Sequence, residues 1–290
     1  MISPYLMFVI MTGLCNAVLA ASLNLVTGVT GQFSLGHAGF MAVGAYVSAY
    51  LTKVVFQIGA WNNTAAQAAA FLFCLVTGAA AAAMVAYLVG VPILRLRGDY
   101  LCIATLGFNQ IVVVILNNLA VVGGPRGFTG IAKLSSAPWI LGLTAVSILL
   151  IHRYVHSVFG NQCVAVREDE IAAESLGVSS SRHKTRAFVI GSFFAGLAGG
   201  MLAHLVQLAH PSQYTFLKSI EILLMVVVGG MGSIAGSVVA AIGLTLLPEL
   251  LRFSQDLRLV IYPLMLIIFV SRDPSDLLKR LKPVRARVTR

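Results

Sequence analysis

Asn24-Leu-Val-Thr-Gly-Val-Thr-Gly-Gln-Phe-Ser-Leu-Gly-His-Ala-Gly-Phe40 interrupts an otherwise continuous apolar region with glycines and hydrogen-bonding side chains. Gly28, Gly31, Gly36 and Gly39 free the backbone to leave a helix, while Thr30, Gln32, Ser34 and His37 carry polar groups that are costly in hydrocarbon. Non-helical backbone at membrane depth survives only where it is buried in protein or lines a wet cavity. The stretch therefore predicts a discontinuous or re-entrant functional element, and the rest of the chain can be placed around it.

Outward from it, the 290 residues are 58% apolar and 10% charged. A mean hydropathy of +0.91 excludes an ordinary soluble protein, in which about a quarter of the residues are charged. The expected fold is all-α: a polytopic membrane protein forming a single transmembrane domain over 1–290. Apolar runs at about 5–27, 38–53, 67–92, 100–121, 137–155, 184–208, 219–230, 234–250 and 258–271 predict about nine crossings of a roughly 30 Å hydrocarbon layer. Counting lysine and arginine in the connections gives fourteen on one side and six on the other. The positive-inside rule then places the N-terminus outside and the basic tail 272–290 in the cytoplasm, where it contacts anionic lipid. The net charge of +10 is accounted for by topology and lipid, not by nucleic acid.

A second glycine-rich stretch, Gly229-Gly-Met-Gly-Ser-Ile-Ala-Gly236, also lies between apolar runs. Aligning Gly31 with Gly230 brings Ser34 onto Ser233, and the flanking helices run in the same sense, which suggests a parallel internal repeat. The helix-breaking glycines are then Gly28, Gly31 and Gly36 in the first stretch and Gly230, Gly232 and Gly236 in the second. Elsewhere, Gly191, Ala195 and Gly199 recur at four-residue spacing and make a smooth face for close helix packing.

Polar chemistry is concentrated in few places. The hydrophilic segment 160–183 is cytoplasmic by the charge count. Within it, Glu168, Asp169 and Glu170 suit a helix N-terminus, Ile171, Ala172, Ser175 and Leu176 make a narrow apolar face, and Gly177 is a stop. Such a helix is expected to dock a partner. Thr105 and Asn109, four apart in the fourth span, share a face that is either path-lining or hydrogen-bonded between helices. His152 and His156 have chelating spacing but no third ligand, and the four cysteines form neither a disulfide framework nor a metal site. The chain has no Gly-Lys dipeptide of a phosphate-binding loop and no G-x-S-x-G, so neither ATP hydrolysis nor serine hydrolysis is expected of it. It is expected to hold no cofactor.

Five stretches together resemble the LivM-type permease of branched-chain amino acid ABC importers: 24–40, RLRGDYLCIATLGF at 95–108, GGPRGFTGI at 123–131, REDEIAAESLGV at 167–178 and SIEILLMVVVGGMGSIAG at 219–236. The resemblance implies a bacterial inner-membrane subunit paired with a LivH-type permease, two cytoplasmic ATPases that bind ATP and Mg, and a periplasmic substrate-binding protein. It also implies that Glu168, Asp169, Glu170, Ala172, Ala173, Leu176 and Gly177 couple to an ATPase. Here Ile171 interrupts the family's E-A-A-x-x-x-G pattern, and no Leu-Pro follows Gly177. With ATP chemistry assigned to partners, Gln32, Ser34, His37, Thr105 and Asn109 are the candidate contacts of the translocation path. The implied cargo is a branched-chain or other hydrophobic amino acid, with urea, short amides and aromatic acids as alternatives. A stand-alone secondary transporter or channel is the competing class, and it has no need of a docking helix.

Overall fold

The computed structural model describes residues 4–58, 64–94, 96 and 98–250. In chain order its helices are α1 (Pro4–Asn24), α2 (His37–Tyr50), α3 (Thr64–Ile93), α4 (Asp99–Asn118), α5 (Ala137–Val155), α6 (Val158–Glu168), α7 (Glu170–Ser175), α8 (Ser180–Val206), α9 (Phe216–Gly229) and α10 (Ile234–Leu250). A π-helical turn, Leu25–Val29, extends α1, and another, Leu51–Val55, extends α2. Two-residue strands, β1 (Phe128–Thr129) and β2 (Leu208–Ala209), pair antiparallel and fasten the α4–α5 connection to the chain that leaves α8.

Six of these helices, α1 to α5 and α8, are long and apolar enough to cross a membrane. Nine crossings are not reached among the described residues. The expected segment 219–230 falls in α9, whose 14 residues reach only about 21 Å at 1.5 Å per residue. The segment 234–250 is α10, of 17 residues. Segment 258–271 and the basic tail 272–290 lie outside the described residues.

Burial sorts the long helices into centre and periphery. The spanning windows of α1, α2 and α8 are 61, 61 and 72% buried, against 33, 33 and 22% for α3, α4 and α5. The centre is built from small side chains in register. Gly44, Ser48 and Thr52 of α2 meet Gly196, Gly200 and His204 of α8 one turn at a time, so these two helices run parallel. A methyl group on Gly44 would come within 2.3 Å of Gly196 Cα, so the backbones themselves are in contact. At the end of this seam His204 donates from Nδ1 to the Gly200 carbonyl at 2.7 Å, which leaves Nε2 facing Thr52 Oγ1 at 2.9 Å. Without a hydrophobic driving force between helices in lipid, such close contact and interhelical hydrogen bonds are what hold spans together. On the other side of the core, α1 packs antiparallel on α10 through Asn16–Thr245 at 3.0 Å and Asn24–Ser237 at 2.7 Å.

Candidate functional site

The polar stretch between α1 and α2 has identifiable local causes. Thr27 and Thr30 turn their hydroxyls back onto the carbonyls of Leu23 and Val26 at 2.6 and 2.5 Å. Hydroxyls bonded in this way compete with the backbone ladder and bend helices. The ladder widens into the π turn and then stops at Gly31, whose φ of +71° carries the chain out of the helix. Helical geometry resumes at His37. The N–H groups at a helix start have no intrahelical partner, and here side chains of other helices accept from one just before α2 and from one in its first turn. Leu35 N–H donates to Thr105 Oγ1 on α4 at 3.0 Å, and Ala38 N–H donates to Ser219 Oγ on α9 at 3.2 Å. His37 Nε2 lies 2.8 Å from Ser22 Oγ of α1. Because the single Ser22 hydroxyl proton points to the Leu19 carbonyl at 2.9 Å, the histidine nitrogen is the donor.

The two glycine stretches meet. Asn24 donates from Nδ2 to Ser233 O at 2.9 Å and to Ser237 Oγ at 2.7 Å, while its Oδ1 accepts from Gly232 N–H at 2.7 Å. An atom added at the Cβ position of Gly28 would fall 2.3 Å from Gly232 N, so only glycine permits this approach. Arg167, at the end of α6, reaches the same point. Its Nη1 donates to Gly28 O at 2.6 Å and lies 3.4 Å from the Cβ direction of Gly232, while Nε and Nη2 are paired with Glu168.

The α6–α7 hairpin that carries Arg167 is capped at each end of its second helix. Asp169 accepts from Ile171 N–H and Ala172 N–H at 2.9 and 3.0 Å. At the other end Gly177, with φ +83°, allows Val178 N–H to bond Ala173 O and Gly177 N–H to bond Glu174 O, both at 3.0 Å. This pair of bonds is the Schellman closure of a helix. Glu170 turns inward, accepting from Lys184 Nζ at 2.8 Å and Ser180 Oγ at 2.5 Å. Ala173 is buried, whereas Ala172, Ile171 and Leu176 face outward, the last two 76 and 85% exposed.

Of the expected path residues, Thr105 and Ser34 meet at the helix-break glycine Gly36, which packs against the Thr105 carbonyl with Ser34 Oγ 3.4 Å from its N, whereas His37 turns to Ser22. Gln32 and Asn109 are 3 and 0% exposed, yet neither side-chain amide has a hydrogen-bond partner. Gly230, Gly232 and Gly236 all belong to the α9–α10 turn, where Gly236 packs against the Gly229 carbonyl. Asn24, Arg167, Ser22 and Ser219 carry the site's connections, and none of them stood out as a site residue in the sequence. The signal available was Asn24, an amide at the end of an apolar run. Among the described residues no group of three or more histidine, cysteine or acidic side chains is placed to hold a metal, and Cys15, Cys74, Cys102 and Cys163 are free thiols.

Residues 5–270 match the family model described as branched-chain amino acid transport system / permease component. The chain is 35% identical over 306 aligned residues to the high-affinity branched-chain amino acid transport system permease protein LivM of Escherichia coli K12, covering 92% of this chain and 68% of that one. The LivM of Salmonella typhimurium LT2 is 34% identical over the same shares. LivH of the same Salmonella strain is 24% identical, with 92% of both chains covered. No solved structure matches. With its polytopic helical fold, the chain belongs to the permease component family of branched-chain amino acid transport systems, as a membrane transport subunit and not an enzyme.

Proposed function

We propose that this chain forms one wall of the translocation path of an ATP-driven importer in a bacterial inner membrane, carrying branched-chain or other hydrophobic amino acids. Its partners in this reading are a LivH-type permease, two cytoplasmic ATPases that hold ATP and Mg, and a periplasmic binding protein that delivers the cargo. The lysine and arginine distribution supports a cytoplasmic α6–α7 and a cytoplasmic C-terminal tail in this reading.

The observation that carries the reading is the hydrogen bond from Arg167 to Gly28 O. It joins a surface-exposed hairpin, presenting Ile171 and Leu176, directly to the point where the two glycine stretches touch. A movement imposed on α7 by an ATPase thus has a short physical route to the ends of α1, α2, α9 and α10. In this reading 30–36 and 230–233 are the discontinuities of the path, and α9–α10 is a pair of partial crossings related to α1–α2. Gln32, Ser34, His37, Thr105 and Asn109 line the path, and 167–177 is the coupling element. A ligand can bias two states only by binding them differently, so ATP and the loaded binding protein supply the drive.

The test is reconstitution of the complete importer in liposomes with labelled leucine, urea and an aromatic acid offered outside. ATP-dependent uptake of leucine competed by other aliphatic amino acids supports the proposal. Uptake of urea or the aromatic acid alone overturns the cargo, and uptake by this chain without ATPases overturns the class.

A further inference from the structure

A groove of about 410 Å³ lies where the last turns of α3 meet the first turns of α8. Both helices are long and apolar enough to span, so a groove at their shared end sits at the boundary of the bilayer. Its chemistry is graded along α8. Arg182, Thr185 and Arg186 stand at the helix start, and Val189 and Ile190 follow one turn deeper. Across from them are Tyr87 and Val91 of α3, whose apolar face continues toward the middle of the span with exposed Leu88 and Met84. The two arginines, four apart, are neighbours on one helix face. Lys184, which holds Glu170, is two positions from each and lies on the opposite side. Among the described residues neither arginine has a hydrogen-bond or ion-pair partner, and no acidic side chain lines the groove. The Arg186 guanidinium has only the ring of Phe159, 5.6 Å away. Nor does α8 itself call for them, because a cation near a helix N-terminus opposes the macrodipole and the first turn of α8 carries no acidic residue.

We infer that this groove is a discrete site for one anionic phospholipid of the surrounding bilayer. Arg182 and Arg186 receive the phosphate, the Tyr87 hydroxyl lies at the level of the glycerol, and an acyl chain runs inward along Val91, Leu88 and Met84. Charge complementarity selects an anion, and the apolar half of the groove selects one that carries a hydrocarbon tail. A soluble partner would meet the arginines but leave the α3 face uncovered. The bound lipid ties the end of α3 to the start of α8, the helix whose Lys184 anchors Glu170 of the α6–α7 hairpin. The inference rests on the reading of the chain as a membrane permease subunit for the side on which the site lies, which is the cytoplasmic leaflet. There juxtamembrane arginines and anionic headgroups attract one another.

The probe is phosphatidylglycerol, offered in detergent with an equal amount of phosphatidylcholine to the full chain purified with its partner subunits. Native mass spectrometry counts the lipids retained. Wild type is expected to keep phosphatidylglycerol in preference to phosphatidylcholine. Arg182→Gln with Arg186→Gln should weaken the tightest phosphatidylglycerol about 25-fold, each arginine near an anionic surface being worth about fivefold. Arg285→Gln with Arg287→Gln removes the same charge from the C-terminal tail and should leave that lipid in place. Val91→Trp fills the apolar half and should weaken it with both arginines intact. Because a ligand stabilises the state that binds it, phosphatidylglycerol should also raise the Tm of wild type by a few degrees and that of the Arg182/Arg186 double variant by less. No preference between the two lipids overturns the site, as does equal loss in the tail variant or full retention in the Val91→Trp variant. Displacement of the lipid by inorganic phosphate would make this an anion site only, and loss of ATPase subunits from the Arg182/Arg186 variant with its lipid preference unchanged would give the arginines to a protein. Both results overturn the lipid. Amino-acid uptake by the complete importer tests the underlying reading separately: a chain that imports nothing but keeps the arginine-dependent lipid loses the transport assignment and keeps the site.

Discussion

Arg167 Nη1 and the carbonyl oxygen of Gly28 are 2.6 Å apart although 139 positions separate the two residues in sequence. The bond places a side chain of the α6–α7 hairpin on the turn that ends the first membrane helix. Because that carbonyl lies in the last turn before the chain leaves the helix, it has no successor in the ladder and is available to a foreign donor.

A charge-assisted hydrogen bond contributes about 1.5–3 kcal/mol. Arg167→Ala should therefore lower ATP-dependent uptake by an order of magnitude or more. Membrane insertion and ATPase binding should persist, as read by co-purification. Arg167→Lys should restore little, because an ammonium does not reproduce the fork that engages Glu168 and Gly28 together. Normal uptake in the alanine variant would detach this bond from coupling.

Asn24 satisfies Gly232 N–H with its oxygen and donates to Ser233 and Ser237 with its nitrogen. Asn24→Leu strands those groups in a buried place, at about 1–3 kcal/mol each. The apparent Tm of the purified subunit in detergent should drop by several degrees. Asn24→Asp should rescue the contact to Gly232 alone, and so fall between the two.

The seam between α2 and α8 leaves no room for a side chain. Gly44→Leu should prevent stable assembly, seen as loss of the chain from the membrane fraction. Gly142→Leu is the matched control, because nothing lies within 4 Å of its Cβ direction. Equal effects of the two substitutions would mean that helix propensity, and not close packing, is being read.

Ile171 and Leu176 are exposed on a capped hairpin that needs neither of them for its own fold. The double variant Ile171→Glu with Leu176→Glu should abolish ATPase co-purification while leaving the Tm of the permease within about a degree, surface changes typically staying within about ±0.5 kcal/mol. Glu170→Lys acts differently. It breaks the contacts with Lys184 and Ser180, and should lower the Tm as well as uptake.

Much of this could be read from residues in order. Gly177 and Asp169 act locally, as stop and cap, and both do what their types predict. The long apolar runs give the long helices, because only a helix satisfies its own backbone in hydrocarbon. Two things were hidden. Hydropathy does not distinguish a crossing from a shorter helix, so 219–230, though short, still counts as an apolar run, and only the turn at 230–233 shows where α9 ends. The meeting of Asn24 with Gly232 is a contact across 208 positions, and no local pattern announces it. The contact of Glu170 with Lys184 was also hidden, because an inward carboxylate and an outward one have the same spacing in sequence. Only the position of Lys184 separates them.

The interlocking of α2 with α8, backbone against backbone at Gly44 and Gly196, has a mechanical corollary. A joint that tight transmits displacement without absorbing it, so these two helices travel as a single strut. The compliance that any change of access requires must then reside in the glycine-bearing turns near residues 31 and 230, which act as the flexures of an otherwise stiff frame.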